Sequence, residues 1–228
     1  SQISYEILRP MKPVLIINPN GSQKTTQDMV GITRRYLPNV MGWTNHKGPE
    51  MIVDQDQLYE AANQISEAVF PEASALIVAA FGDPGAKRLA DSMDIPVIGI
   101  AAAAAREAVL SGVSFAVVTT TPKLAPSIDE MMRAEGGDTY LGCHTTEEDP
   151  LVLASNSDAL DYALITSCEI AKKAGAKRVI IGGGPLGQAA IRISSQVKVP
   201  LIQPLVAACS EVNALIEHQL PHVQDVDR

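Results

Sequence analysis

The sequence is short of the residues that build redox and metal centres, with three cysteines and four histidines among 228 residues. Cys143, Cys168 and Cys209 form an odd set without CxxC spacing, which argues against a disulfide framework. No stretch near the start reads as a cleavable secretory segment, so the expected compartment is reducing and cytoplasmic. The histidines show no ligand spacing, and His144 beside Glu147, Glu148 and Asp149 reads as a solvated loop, so no metal is expected. Basic residues are in deficit, 18 against 26 acidic for a net charge of −8. They are also scattered, which leaves nucleic acid without a phosphate-binding face. Long apolar runs are missing too. The most apolar stretch, Ile95 to Val118, is interrupted by Arg106, Glu107 and Ser111 and contains Pro96 and Gly99, so it reads as strand, helix, strand and implies no membrane role.

What is present is ordinary globular material, 46% apolar and 19% charged, in enough chain for one large domain or two small ones. Short Val- and Ile-rich runs alternate with stretches of helical period: Val14–Ile17 then 25–36, Ala75–Ala79 then 84–93, Val97–Ile100 then 101–110. The second half repeats the order with Phe115–Thr119, a helical pattern over 126–134, an uncertain segment at 151–154, and helical 159–174. Val179–Ile181, helical 186–195, Pro200–Ile202 and helical 205–217 follow. Strands alternating with helices predict βα units on parallel sheets.

The halves also align residue by residue, with Val14-Leu15-Ile16-Ile17-Asn18 against Ala116-Val117-Val118-Thr119-Thr120. Ile95-Pro96-Val97-Ile98 falls against Val199-Pro200-Leu201-Ile202, and Ala75–Pro84 against Arg178–Pro185, at a spacing of roughly 102 to 104 residues. Any two doubly wound segments share Val-rich strands ending in glycine, so generic likeness stands beside true duplication. The duplicated reading is an α/β chain of two pseudo-symmetric, doubly wound parallel-sheet lobes facing a cleft. Its expected division is 1–112 with 203–228 as the first lobe and 113–202 as the second.

Ligands in open parallel sheets bind beyond the carboxyl ends of the strands, and the residues there are small and polar. Asn18, Asn20 and Ser22 follow the first strand, before Thr25 and Thr26 open a helix. They are suited to a carboxylate or imide, or equally to a turn and N-cap. Gly82-Asp83-Pro84-Gly85 places Asp83 as the N-cap of a helix with Pro84 at its first position. Thr119, Thr120 and Thr121 end a strand of the second half, and Gly182-Gly183-Gly184-Pro185 ends another. That glycine turn lets backbone N–H groups approach a ligand, yet it follows neither the Walker nor the GxGxxG spacing.

Taken together, Asn18-Pro19-Asn20 with Ser22 and Thr26, Phe81-Gly82-Asp83-Pro84-Gly85, Pro96-Val97-Ile98-Gly99-Ile100 and Val118-Thr119-Thr120 resemble the hydantoin and allantoin racemase branch of the aspartate/glutamate racemase superfamily. The resemblance spans about Pro13 to Ala208. It implies a substrate cleft between two lobes, a small-molecule substrate, chemistry without pyridoxal phosphate or another cofactor, and a homo-oligomer. It places substrate contacts at Asn18, Asn20, Ser22, Phe81, Asp83, Thr119, Thr120, Gly183, Gly184 and Pro185.

In that family one cysteine removes the proton beside a carbonyl and another returns one from the opposite face. By the resemblance the first cysteine falls at Ala80 and the second at Gly183, and neither a methyl group nor a hydrogen carries a proton. Cys143 and His144 are neighbours on an extended segment and point to opposite faces, while Cys168 and Cys209 fall within helical patterns. Asp83, His144, a hydroxyl, or water held by Asn18 and Thr120 are the remaining proton carriers. The expected function is a cofactor-independent enzyme acting on a small carboxylate or cyclic ureide through an enolate. Lyase, decarboxylase, isomerase or hydrolase chemistry fits that environment. The alternatives are a silent ligand-binding protein or a racemase with a non-cysteine proton carrier.

Overall fold

The computed structural model describes residues 11–219. The expected first-lobe segments 1–10 and 220–228, and with them the reading of the N-terminal stretch, lie outside the described residues. In the first half, β1 (Val14–Asn18), α1 (Gln23–Thr33), β2 (Val40–Thr44) and α2 (Gln55–Glu67) are followed by β3 (Ala75–Val78), α3 (Ala86–Ser92), β4 (Val97–Gly99) and α4 (Ile100–Leu110). The second half runs β5 (Phe115–Thr119), α5 (Ala125–Gly136), β6 (Tyr140–Thr145), α6 (Pro150–Ala154) and α7 (Ser157–Lys173). It ends with β7 (Arg178–Ile181), α8 (Gly187–Ile193), β8 (Leu201–Ile202) and α9 (Pro204–Gln219). Each half forms a four-stranded sheet, in the orders β2-β1-β3-β4 and β6-β5-β7-β8, and every strand pair is parallel.

The central strands are buried along their length, β1, β3 and β5 completely. This is why they read as continuous apolar runs: helices cover both faces of a parallel sheet. The likeness of the halves extends to strand register, but the first strand is matched one residue differently from the sequence alignment. Val14 pairs with Ala75 and Ile17 with Val78, as Phe115 pairs with Arg178 and Val118 with Ile181. Asn18 is therefore the counterpart of Thr119, not of Thr120. A one-residue slip in a strand is invisible to composition when every residue of the run is apolar and buried.

Two first-half elements, β2 and α2, escape the periodic pattern. Strand β2 is an edge strand of sequence VMGWT, and its Gly42 interrupts the β-branched signal. A β-carbon at Gly42 would lie 2.6 Å from Thr26 Cγ2 and 2.9 Å from Val30 Cγ2, so the glycine lets α1 approach the sheet. Helix α2 starts at Asp54, whose side chain accepts from Gln57 N at 2.8 Å. It buries Leu58, Ala61 and Ile65 at helical spacing.

The apolar stretch Ile95–Val118 resolves into β4, α4 and β5, and no helix among the described residues is long and apolar enough to cross a membrane. Its alanines join the lobes. Ala101, Ala104, Ala105 and Ala108 of α4 share one core with Phe115, Val117 and Ile180 of the second sheet. Small side chains on this face let a helix of one lobe lie directly on the sheet of the other, and α9 closes the far side against α4 and α1.

Candidate functional site

The carboxyl ends of β1, β3, β5 and β7 converge on a cleft of about 50 Å³. Ala80 and Gly183 both line it, and the backbone makes them counterparts. Ala79 N donates to Ile17 O at 2.8 Å, and Gly182 N donates to Val118 O at 2.8 Å. The residue after each of these bonds is the one the resemblance assigns to a cysteine.

Of the expected ligand contacts, Asn20, Phe81, Thr119, Thr120, Gly183, Gly184 and Pro185 line this cleft. Asn18 does not, because its amide is committed to the turn it belongs to. Asn18 Nδ2 donates to Asn20 Oδ1 at 2.8 Å, to Ser22 O at 3.0 Å and to Thr26 Oγ1 at 3.0 Å, while its Oδ1 accepts from Asn20 N at 3.1 Å. Held this way, Asn18 braces Asn20 and stands outside the lining of the inner cleft. Ser22 is the N-cap of α1 and accepts from Thr25 N. It lies in an outer vestibule of about 350 Å³ that shares Met51, Thr120, Pro185 and Leu186 with the inner cleft.

Asp83 departs further from expectation. Helix α3 is capped by Gly85, so Pro84 stands before the helix, and the Asp83 carboxylate instead caps α4. Asp83 Oδ1 accepts from Ala101 N at 2.8 Å and Oδ2 from Ala102 N at 2.9 Å. Asp83 lines no part of the inner cleft; it faces a separate groove behind the Phe81–Gly85 turn. Burial pushes its carboxyl up from 3.8 to about 7, against the two N–H bonds and Arg106, which favour the charged form, and with Glu135, which opposes it. The residue keeps some exposure on that groove, which gives its proton a path to solvent.

The remaining proton-carrier candidates also lie elsewhere. His144 sits on β6 paired with Val118, outside the cleft lining. Burial, with the Asp129 charge, pushes the Cys143 thiol up to about 12, so it is no thiolate at neutral pH. Burial also pushes Cys168 and Cys209 up to about 12. Inside the cleft, Thr119 donates its hydroxyl to Gly182 O at 2.7 Å, which ties the threonine strand end to the glycine turn.

Sequence reasoning missed the apolar half of the lining: Met51, Ile52 and Leu58 from the β2–α2 region and Leu124, Ile128 and Leu186 from the second half. The 45–52 loop reaches the cleft because its backbone packs on the Asn18–Ser22 turn. Gly21 N donates to Pro49 O at 2.7 Å, and a β-carbon on Gly21 would meet Gly48 O at 2.6 Å. The one available signal was Asp54-x-x-Gln57 ahead of Leu58, a capping pattern that marks a helix start.

The inner cleft presents apolar walls, threonine hydroxyls, one asparagine amide and glycine backbone, with no ionisable side chain in its lining. The main-chain N–H groups of its residues Ala80, Phe81, Thr120 and Gly183 have no acceptor among the described residues. Main-chain donors without a protein acceptor are what a developing oxyanion requires. The charges stand outside, at the vestibule, where Lys24 pairs with Asp28 at 2.8 Å and Arg192, paired with Asp161 at 2.7 Å, also contributes to the lining.

Two parallel-sheet lobes closing on a strand-end cleft define an α/β fold of the racemase type. The model of the Asp/Glu/Hydantoin racemase family matches residues 14–212, and the chain belongs to that family. It is 25% identical over 214 residues to a hydantoin racemase of Paenarthrobacter aurescens, covering 89% of this chain and 90% of that one. Its fold matches allantoin racemase from Pseudomonas fluorescens with a TM-score of 0.84 at 24% identity, covering 91% and 92% of the two chains. Allantoin racemase from Klebsiella pneumoniae matches with a TM-score of 0.79 at 24% identity, over 92% and 89%.

Proposed function

We propose that the chain takes a small carboxylate or a cyclic ureide of the hydantoin type into the inner cleft and acts on it through an enolate-type intermediate, without two-base racemisation. The observation that carries this reading is the chemistry of the lining: unpaired N–H donors surround Ala80 and Gly183, and no ionisable group stands on either side. Racemisation by proton abstraction needs a base on one face and an acid on the other. Decarboxylation asks for less. The carbon–carbon bond breaks to release carbon dioxide, the electron pair stays on the substrate as an enolate held by N–H groups, and water delivers the proton.

At about 50 Å³ the cleft is smaller than the roughly 300 Å³ at which ligand pockets begin. Met51 stands where this cleft opens into the vestibule of about 350 Å³. Proton NMR in D₂O with hydantoins, allantoin, aspartate, glutamate and substituted malonates tests the reading. The expected result is consumption of a substrate, with solvent deuterium entering the α-position of the product and not that of the unreacted substrate. Conversion to the mirror image would overturn it, and line broadening without turnover would make the chain a binding protein.

Restoring the thiols separates the two faces. Ala80 has no unusual backbone angle, whereas Gly183 sits at φ +151, and a β-carbon there would stand 3.3 Å from Leu186 Cγ. Ala80→Cys is expected to fold normally and to exchange the α-proton of a bound ligand without inverting it. Gly183→Cys is expected to lose about 1–3 kcal/mol of stability to backbone strain, read by thermal melting, and inversion by chiral chromatography is expected only when both thiols are present.

A further inference from the structure

We propose that Asp83 is a positioning residue for the cleft, and that its protonation state sets where the Ala80–Phe81 wall stands. The geometry is unusually constrained. Asp83 is the one non-glycine residue with positive φ among the described residues, at +50, a conformation aspartate tolerates better than most side chains. Its carboxylate occupies the space a side chain at position 99 would need, since a β-carbon on Gly99 would lie 2.2 Å from Asp83 Cγ. Both carboxylate oxygens are engaged, each by one N–H at the start of α4. Asp83 N in turn donates to Ala80 O at 3.0 Å, so the cap and the cleft wall are one hydrogen-bonded turn. Phe81, in the middle of that turn, reaches across to the second lobe, where its Cδ1 lies 3.4 Å from the β-carbon position of Gly182.

Protonation of Asp83 turns one of its carboxylate oxygens into a hydroxyl, a poorer acceptor, and removes the charge that strengthens both N–H bonds. The cap on α4 then loosens, and the turn it anchors carries Ala80 and Phe81. Burial, which raises the carboxyl to about 7, places this change near neutrality. The charges facing Asp83 come from several elements. Arg106 of α4, bound to Glu211 of α9 at 2.6 Å, favours the ionised form, while Glu135 of α5 opposes it. Glu130 of α5 and Lys87 and Arg88 of α3 line the same groove, as do the uncharged Gln55 and Tyr59 of α2. That groove has a volume of about 640 Å³ and admits solvent protons without passing through the cleft.

The test needs no ligand and so stands apart from the proposed function. The full chain, labelled with ¹⁵N and ¹³C, is titrated from pH 5 to 9. The Asp83 carboxyl carbon and the amides of Ala101 and Ala102 are expected to share one midpoint, and the amides of Phe81 and Gly182 are expected to move with it. Asp83→Asn removes the transition from all of them. Glu135→Gln, at an exposed helix position, keeps the fold and lowers the midpoint by removing an opposing charge. Absence of a transition in this range overturns the proposal, as does a transition that moves Ala101 and Ala102 while leaving Phe81 and Gly182 still.

Discussion

Gly184→Ala is expected to lower the stability of the protein by about 3 kcal/mol, read as a fall in the urea midpoint at unchanged slope. Gly184 opens the turn after β7, where the second lobe lies against the end of β3 in the first. A β-carbon there would stand 2.3 Å from Ala79 O and 2.9 Å from Met29 Sδ. The nearer atom is backbone at the end of a buried strand and has no rotamer to escape into. The change would therefore part the lobes at the floor of the cleft, and Ala80 and Gly183 would separate with them. Gly31→Ala supplies the opposite sign. Gly31 lies on an exposed position of α1 with nothing within 4 Å of its β-carbon position, and alanine there is expected to add about 0.5–1 kcal/mol through helix propensity. Equal effects at the two positions would mean that the lobes do not meet at Gly184 in solution.

The second large effect is the dependence of stability on pH through Asp83. Its folded-state value of about 7 stands above the ordinary 3.8, so the folded chain binds a proton that the unfolded chain has released. Stability from this group is complete below the unfolded value and is lost as pH rises through the folded one. Between pH 5 and pH 8 the shift corresponds to a loss of about 2–3 kcal/mol. Asp83→Asn cannot ionise, so the stability difference between variant and wild type is expected to move by that amount in favour of the variant over the same interval. A difference that stays constant with pH would show that the carboxyl is not buried against its charge. The ionised form, although less stable overall, is the one that holds both N–H groups of α4. Stability and placement of the cleft wall therefore respond to pH in opposite directions.

The parts of the fold that were legible in the sequence are those whose signal is local. Central parallel strands buried on both faces must be runs of Val, Ile and Leu, and β1, β3, β5 and β7 announce themselves that way. Strand β2 did not, because it is an edge strand with a glycine where α1 crosses it, and the cause of that glycine lies in another element. Missing β2 and α2 hid Leu58 of α2 and the loop before it, which carries Met51 and Ile52. The polar residues at strand ends were found because the strand ends were found. Their roles were not all as expected: Asn18 braces its own turn, Ser22 caps α1 and stands in the vestibule, and Asp83 caps a different helix from the one it precedes.

The order of strands and helices, the two similar halves, the parallel sheets and the thiol-free positions 80 and 183 were determined by the sequence alone, because periodicity, turn residues and residue identity are properties of a short stretch of chain. Three matters were left to the tertiary structure: the one-residue register between the halves, the apolar wall of the cleft, and the meeting of Asp83 with the N–H groups of Ala101 and Ala102. Each joins groups from different elements, and the distances between them depend on how sheets and helices pack.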